Sequence, residues 1–252
     1  MGMARQSDPL RQAASGIPVL VTRPRAQAEK FARMLTARFG SRVRPFVAPL
    51  MAPEFLSPPV PDGPFAAVIF TSAHGVEGAV RLQADLPRLA YCVGRATAAA
   101  ATAAGFDAQS SDGDVADLAA TLLSGPGMGR FLYLRGVDTT GELENQLISN
   151  DIPVLSLQVY LQQSLPLERE SLALMRQSGP VILPLFSPRS AHIFRAARPV
   201  DTHADLRIAA MSMAVATVAA GIPHSALVIA ARPDADAMLD AVESLLALAP
   251  AP

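Results

Sequence analysis

One strand-to-helix turn occurs twice in this chain, and that recurrence constrains the fold more than any other feature. Val68-Ile69-Phe70-Thr71-Ser72-Ala73-His74 is echoed by Leu183-Pro184-Leu185-Phe186-Ser187-Pro188-Arg189-Ser190-Ala191-His192. In each copy an apolar run ends in hydroxyl side chains and passes directly into a segment of helical character. The run predicts a buried strand. The hydroxyls and the unpaired N–H groups of the following helix's first turn are suited to holding an anion.

The repeat extends outward from these turns. Phe70 to Leu123 and Phe186 to Leu246 both read strand, hydroxyl turn, helix, strand, Ala-rich helix, acidic segment, helix. Val19 to Leu50 resembles Phe131 to Tyr160: strand, Arg, helix, Gly or Asn, strand. Strands alternating with helices predict open parallel sheets, and the duplication predicts an α/β protein of two similar lobes. If each lobe needs one early and one late piece, the chain crosses between lobes twice, near Phe46 to Ala52 and Ser156 to Leu165. The expected division is a disordered N-terminus over 1–16, a discontinuous lobe over 17–48 plus 163–252, and a second lobe over 49–162. The two extended crossings would form a two-stranded β-ladder acting as a hinge. The Pro-rich stretch Pro49 to Pro64 reads as crossing or loop, Asp112 to Asp114 as a helix cap, and Gly125 to Gly129 as a loop.

Composition narrows the function classes. A length of 252 residues suits one large domain or two small ones, and half the residues are apolar. The net charge of −1 gives no general attraction for nucleic acid or an anionic membrane. Lys30 is the only lysine among 21 basic residues, which fits either a genomic bias or a use for arginine as a carboxylate fork. Cys92 stands alone, so neither a disulfide framework nor a multi-cysteine metal site is expected, and it reads as a small buried hydrophobe. No signal peptide is evident, and the longest apolar stretch, Ile208 to Pro223, is too short to span a bilayer; a cytoplasmic protein is expected. Gly-x-Gly-x-x-Gly after the first strand, a P-loop, His-x-x-x-His and Gly-x-Ser-x-Gly are all missing, which argues against a nucleotide-dependent enzyme.

Ligands of open α/β sheets bind at the carboxyl ends of the strands. Those ends carry Thr22-Arg23, Thr71-Ser72-Ala73, Gly94-Arg95 with Thr97, Arg135-Gly136, Ser187 with Arg189 and Ser190, Ser212, and Arg232. Polar residues often end strands without further meaning. Their recurrence in both halves favours a cleft lined with donors for a polyanion. His74 and His192 read as first-turn helix residues ahead of general bases. Tyr160, at the end of the second crossing strand, is either an interface aromatic or a hydroxyl facing the cleft.

Taken in order, Val21-Thr-Arg-Pro24, Ile69-Phe-Thr-Ser72, Val93-Gly-Arg-Ala-Thr97, Leu134-Arg-Gly136, Val159-Tyr160, Phe186-Ser-Pro188 and Ala231-Arg-Pro233 resemble the uroporphyrinogen-III synthase family over roughly Val19 to Leu246. The resemblance implies a cofactor-free lyase of tetrapyrrole, porphyrin and heme biosynthesis. It would cyclise hydroxymethylbilane, a linear tetrapyrrole with eight carboxylates, to uroporphyrinogen III with ring D inverted and water lost. It implies Tyr160 and Thr97 as catalytic residues, Tyr160 assisting departure of the hydroxyl. Thr22, Arg23, Thr71, Ser72, Ala73, Gly94, Arg95, Arg135, Gly136, Ser187, Arg189, Ser190 and Ser212 would bind substrate, with no metal. A monomer is expected, with transient contact to hydroxymethylbilane synthase left open, and neither nucleic acid nor membrane as partner. The pattern departs from the family at Ser212-Met-Ala-Val215, where Val215 replaces a threonine and cannot donate a hydrogen bond. That departure keeps a second reading open, a non-catalytic bilobal anion- or tetrapyrrole-binding module of the same fold.

Overall fold

The structure, a computed structural model, describes residues 16–111, 115–124, 129–139 and 141–248. The expected N-terminal disorder before Gly16, the Asp112 to Asp114 cap and most of the 125–129 loop lie outside those residues. The chain begins with β1 (Ile17–Val21), α1 (Arg25–Phe39), β2 (Val43–Val47) and β3 (Met51–Phe55). Next come β4 (Ala67–Phe70), α2 (Ala73–Arg81), β5 (Leu89–Cys92), α3 (Arg95–Ala103), β6 (Asp107–Ser110) and α4 (Val115–Ser124). They are followed by β7 (Phe131–Gly136), α5 (Glu142–Ser149) and β8 (Val154–Ser164). The last stretch is α6 (Arg169–Arg176), β9 (Gly179–Leu185), α7 (Pro188–Ala197), β10 (Ala204–Ala210), α8 (Met213–Ala219), β11 (Ala226–Ile229) and α9 (Ala235–Leu246).

Two compact units result, one from the residues up to Ala52 and from Ser164 onward, the other from Pro53–Gln163. The first holds a five-stranded sheet in the order β11-β10-β9-β1-β2, and the second a six-stranded sheet in the order β3-β8-β7-β4-β5-β6. The pairs β1–β2, β1–β9, β9–β10 and β10–β11 are parallel, as are β4–β5, β4–β7, β5–β6 and β7–β8. The duplication is therefore one of topology. β9, β10 and β11 stand to β1 and β2 as β4, β5 and β6 stand to β7 and β8.

Each sheet is covered on both faces, which is why its central strands read as unbroken apolar runs. In the first unit, Leu20, Leu183, Leu185 and Ile208 pack under α6, α7 and α8, while Val19, Val21, Ile182 and Ala209 pack under α1 and α9. Helix α1 joins through Ala28, Phe31, Leu35 and Phe39, spaced three and four apart so that they share one face. In the second unit, Val68, Phe70, Leu132 and Leu134 meet α2 and α3; Ile69, Tyr91, Phe131 and Tyr133 meet α4 and α5. Helix α2 lies close on β8 because Gly78 offers no side chain: a Cβ there would fall 2.6 Å from Val159 Cγ2.

Three features differ from expectation. The Pro-rich stretch read as crossing or loop contains β3, with Pro53 inside it; β3 is an edge strand, where a missing N–H interrupts no central ladder. The polar run Asp107–Ser110, unmarked in the sequence, is the other edge strand of that sheet, half exposed and tied to β5 through its backbone. Strand β8 runs on to Ser164, so Tyr160 lies inside it and not at its end.

Candidate active site

Parallel strands bring their carboxyl ends to one edge of each sheet, and the helices that follow begin there. In the second unit β4 ends at Phe70, and Ser72 caps α2 by accepting from the Gly75 N–H at 3.3 Å. Two tyrosines reach the same turn. Tyr160 Oη lies 3.0 Å from Ser72 Oγ, and Tyr133 Oη lies 3.0 Å from Thr71 Oγ1.

A β-bulge sets the position of Tyr160. Arg135 pairs with Gln158 but Gly136 pairs with Tyr160, so β8 carries one extra residue at this point. The bulge breaks the strict alternation and places Tyr160 against the same cluster as Leu157 and Val159. Its ring lies over Gly136, where a Cβ would fall 2.8 Å from Tyr160 Cζ and 3.0 Å from its hydroxyl. His74, in the first turn of α2, meets the same ring at 5.6 Å between centroids in an edge-on arrangement.

The other candidates of this unit differ in availability. Thr97 is buried in α3, three residues after Gly94, whose φ of 78° no side chain accommodates easily. Arg95 and Ala73, the first residues of α3 and α2, are exposed. Arg135 is turned onto its own unit, donating to the Gly136 carbonyl at 2.9 Å and sitting 3.6 Å from Glu144.

The first unit repeats the scheme with other side chains. Ser187 caps α7 in a capping box: its hydroxyl accepts from Ser190 N–H at 3.1 Å, while Ser190 Oγ accepts from Ser187 N–H at 3.2 Å. Ser190 is buried, and its hydroxyl also donates to the Ser187 carbonyl, so it is committed to the turn. Arg189 is exposed in the first turn of α7. Ser212 caps α8 through the Val215 N–H at 3.4 Å. This accounts for the departure noted at Val215: Gly94 and Thr97 place the turn's hydroxyl at the third helical position, whereas Ser212 and Val215 place it at the cap. Thr22 is buried, and Arg23 follows it with its guanidinium 4.2 Å above the Phe186 ring. Burial lowers the Arg23 pKa, and no carboxylate is paired with it among the described residues. Arg232 is instead bound to Asp234 at 2.9 Å.

Tyr133, inside a strand, and Phe186, at the end of one, are not among the site residues named from the sequence. The only available signal was position, since both lie within a few residues of a strand's carboxyl end. Among the described residues no group of three or more His, Cys, Asp and Glu side chains is arranged to hold a metal ion. A cavity of about 600 Å³ lies between Gly16–Pro18 and Gly179–Val181, at the amino ends of β1 and β9. That is the pole of the sheet opposite the strand-end hydroxyls, and none of the candidate residues lines it. No helix of the described residues is long and apolar enough to cross a membrane.

No curated protein sequence is significantly similar to the chain. Among solved structures, uroporphyrinogen-III synthetase from Helicobacter pylori is 19% identical, with 91% of this chain and 99% of that chain covered and a TM-score of 0.62. A mutant uroporphyrinogen III synthase from Thermus thermophilus is 17% identical over 91% of this chain and 97% of that chain, with a TM-score of 0.46. At 19% identity the first likeness is one of fold. Residues 30–240 match the family described as uroporphyrinogen-III synthase HemD. This match spans most of the chain, so the chain belongs to the uroporphyrinogen-III synthase family.

Proposed function

We propose that this chain is a cytoplasmic, monomeric lyase that cyclises hydroxymethylbilane to uroporphyrinogen III, inverting ring D and releasing water. Family membership supports the reaction, and the Ser72–Tyr160 hydroxyl pair carries the assignment of its chemistry. The Gly75 N–H donates to Ser72 Oγ, which leaves the serine proton available for the phenol oxygen. Tyr160 can then direct its own proton to the hydroxyl of the substrate's terminal hydroxymethyl group. The C–O bond breaks, water departs with that proton, and an azafulvenium cation remains beside the phenolate. Attack by the substituted carbon of ring D gives a spiro intermediate; the bond from that carbon to the methylene of ring C then breaks, the methylene bonds to the free α-carbon of ring D, and the proton lost from that carbon on rearomatisation restores the phenol.

An azafulvene is quickly recaptured by water, so positioning and exclusion of solvent matter more here than strong acid–base groups. Eight carboxylates call for charge-assisted donors, and Arg23 is a candidate because it has no anionic partner among the described residues. Thr22, Thr71, Ala73, Gly94, Arg95, Thr97, Arg135, Gly136, Ser187, Arg189, Ser190 and Ser212 are the further residues proposed for substrate binding, through hydroxyls, guanidinium groups and first-turn N–H groups. Arg135 and Ser190 act through the turns they hold. The proposal includes a hinge at the crossings near Phe46 to Ala52 and Ser156 to Leu165, and transient delivery of substrate by hydroxymethylbilane synthase.

The test is a coupled assay in which that synthase supplies hydroxymethylbilane and the oxidised uroporphyrin isomers are separated. Mainly isomer III is expected. Isomer I alone, the product of spontaneous ring closure, would overturn the proposal.

A further inference from the structure

The Thr71–Ser72 turn is held from both faces of its sheet. Consecutive residues of an extended chain point to opposite faces, and each of these two hydroxyls meets a tyrosine on its own side. Tyr160 packs with the cluster under α2 and α3 and meets Ser72; Tyr133 packs with the cluster under α4 and α5 and meets Thr71. Tyr133 is only 3% exposed, sits on β7 next to β4, and pairs through its strand so that Ile69 lies beside it. Burial pushes the phenol's pKa up, so the group stays protonated and keeps a donor.

We propose that Tyr133 is a positioning residue for the reaction: by fixing Thr71 it sets the direction of the turn that presents Ser72 and the first N–H groups of α2. The inference rests on the proposed site. The geometry behind it is independent of Tyr160, because Tyr133 reaches Thr71 on the face away from that pair. Without the Tyr133 bond Thr71 would still pack, but the turn would have one fixed side.

The experiment compares Tyr133→Phe, Thr71→Val and the double variant in the coupled assay, with melting temperature read alongside. Tyr133→Phe keeps the ring and its packing, so the folded protein is retained. Expected is a fall in kcat of about five- to tenfold with KM within about twofold, the scale of one hydrogen bond that orients a catalytic group. The double variant should be no slower than the slower single one, because both changes remove the same bond. A lowered melting temperature with unchanged kcat would make Tyr133 purely structural and overturn the inference. Ser72→Ala and Tyr160→Phe run in parallel separate the two failures. If they slow the enzyme and Tyr133→Phe does not, only this inference falls. If they too leave kcat unchanged, the reading of the turn as catalytic falls with it.

Discussion

Ser72 Oγ and Tyr160 Oη lie 3.0 Å apart although the two residues are 88 positions apart in the chain. The serine caps α2, and the tyrosine reaches it from β8 only because a bulge turns the ring toward that helix. Capping, strand pairing and the candidate chemistry therefore share one oxygen.

Removing the phenol hydroxyl isolates its part in the reaction. Tyr160→Phe is expected to lower kcat about tenfold with KM little changed, since the hydroxyl acts on the departing group and not on the substrate's carboxylates. Steady-state rates in the coupled assay give both constants. Unaltered kcat would take Tyr160 out of the chemistry.

The same hydroxyl can be displaced without being removed. In Gly136→Ala the new methyl would lie 2.8 Å from Tyr160 Cζ and 2.9 Å from Cε2, so the ring must move away from Ser72. Turnover should fall to about the level of Tyr160→Phe, and combining the two changes should add little. Full turnover in Gly136→Ala would show that the ring tolerates displacement.

Arg23 tests substrate binding. Its guanidinium is stacked on Phe186 and has no acidic partner among the described residues. Arg23→Met should raise KM about tenfold, leave kcat nearly unchanged, and flatten the rise of KM with ionic strength. Titrating salt in both proteins checks all three, and parallel salt profiles would argue against a carboxylate contact.

Arg207 is a stability element away from the strand ends. It is 2% exposed, donates to Asp205 at 3.1 Å, and binds the Leu245 carbonyl in the last turn of α9 and the Leu248 carbonyl just beyond it. Arg207→Met should cost about 3 kcal/mol, because it strands Asp205 and those carbonyls. Urea denaturation measures the loss; activity per folded molecule should be unchanged.

Asp234 gives a pH dependence with a defined sign. The Ala237 N–H it caps, and then Arg232, hold its carboxyl below the usual range. A depressed folded pKa means the contribution is fully present above the unfolded value, ~3.9, and fades as pH falls through the folded one. Asp234→Asn retains a capping oxygen but cannot titrate, so its stability should fall less steeply on acidification below that value. Identical acid profiles would remove Asp234 from the acid limb.

The duplicated topology was legible in the chain because its central strands are buried on both faces, leaving long apolar runs that end in hydroxyls. Two edge strands carry no such mark. β6 is polar, and β3 contains a proline that an edge tolerates, so one was missed and the other read as crossing or loop. Arg207 looks like an interruption of an apolar strand, and its purpose depends on carbonyls some forty residues away. At the candidate site the residue types could be read from the sequence, but their commitments could not. Arg135 and Arg232 answer carboxylates of their own units, Ser190 is consumed by its capping box, and Arg23 is left with an aromatic face. Tyr133 carried no sign beyond its place near a strand's carboxyl end, since a tyrosine within an apolar strand is usual and its partner lies on another strand.

The position of residues 53–163 between the two parts of the other unit has a consequence for synthesis. The ribosome completes β3 to β8 before β9 exists, so β1 waits with β2 as its one neighbour until residue 179 and beyond emerge. The six-stranded sheet needs nothing made later and can close first. Its first and last strands, β3 and β8, are neighbours, so closure draws the two flanking ends together. The loop separating Val19 from Ile182 is thereby shortened before those residues pair, which lowers its closure cost by about 1 kcal/mol. The inserted unit is thus a folding aid for the chain that surrounds it: its completion prepares the late arrival of β9 beside β1.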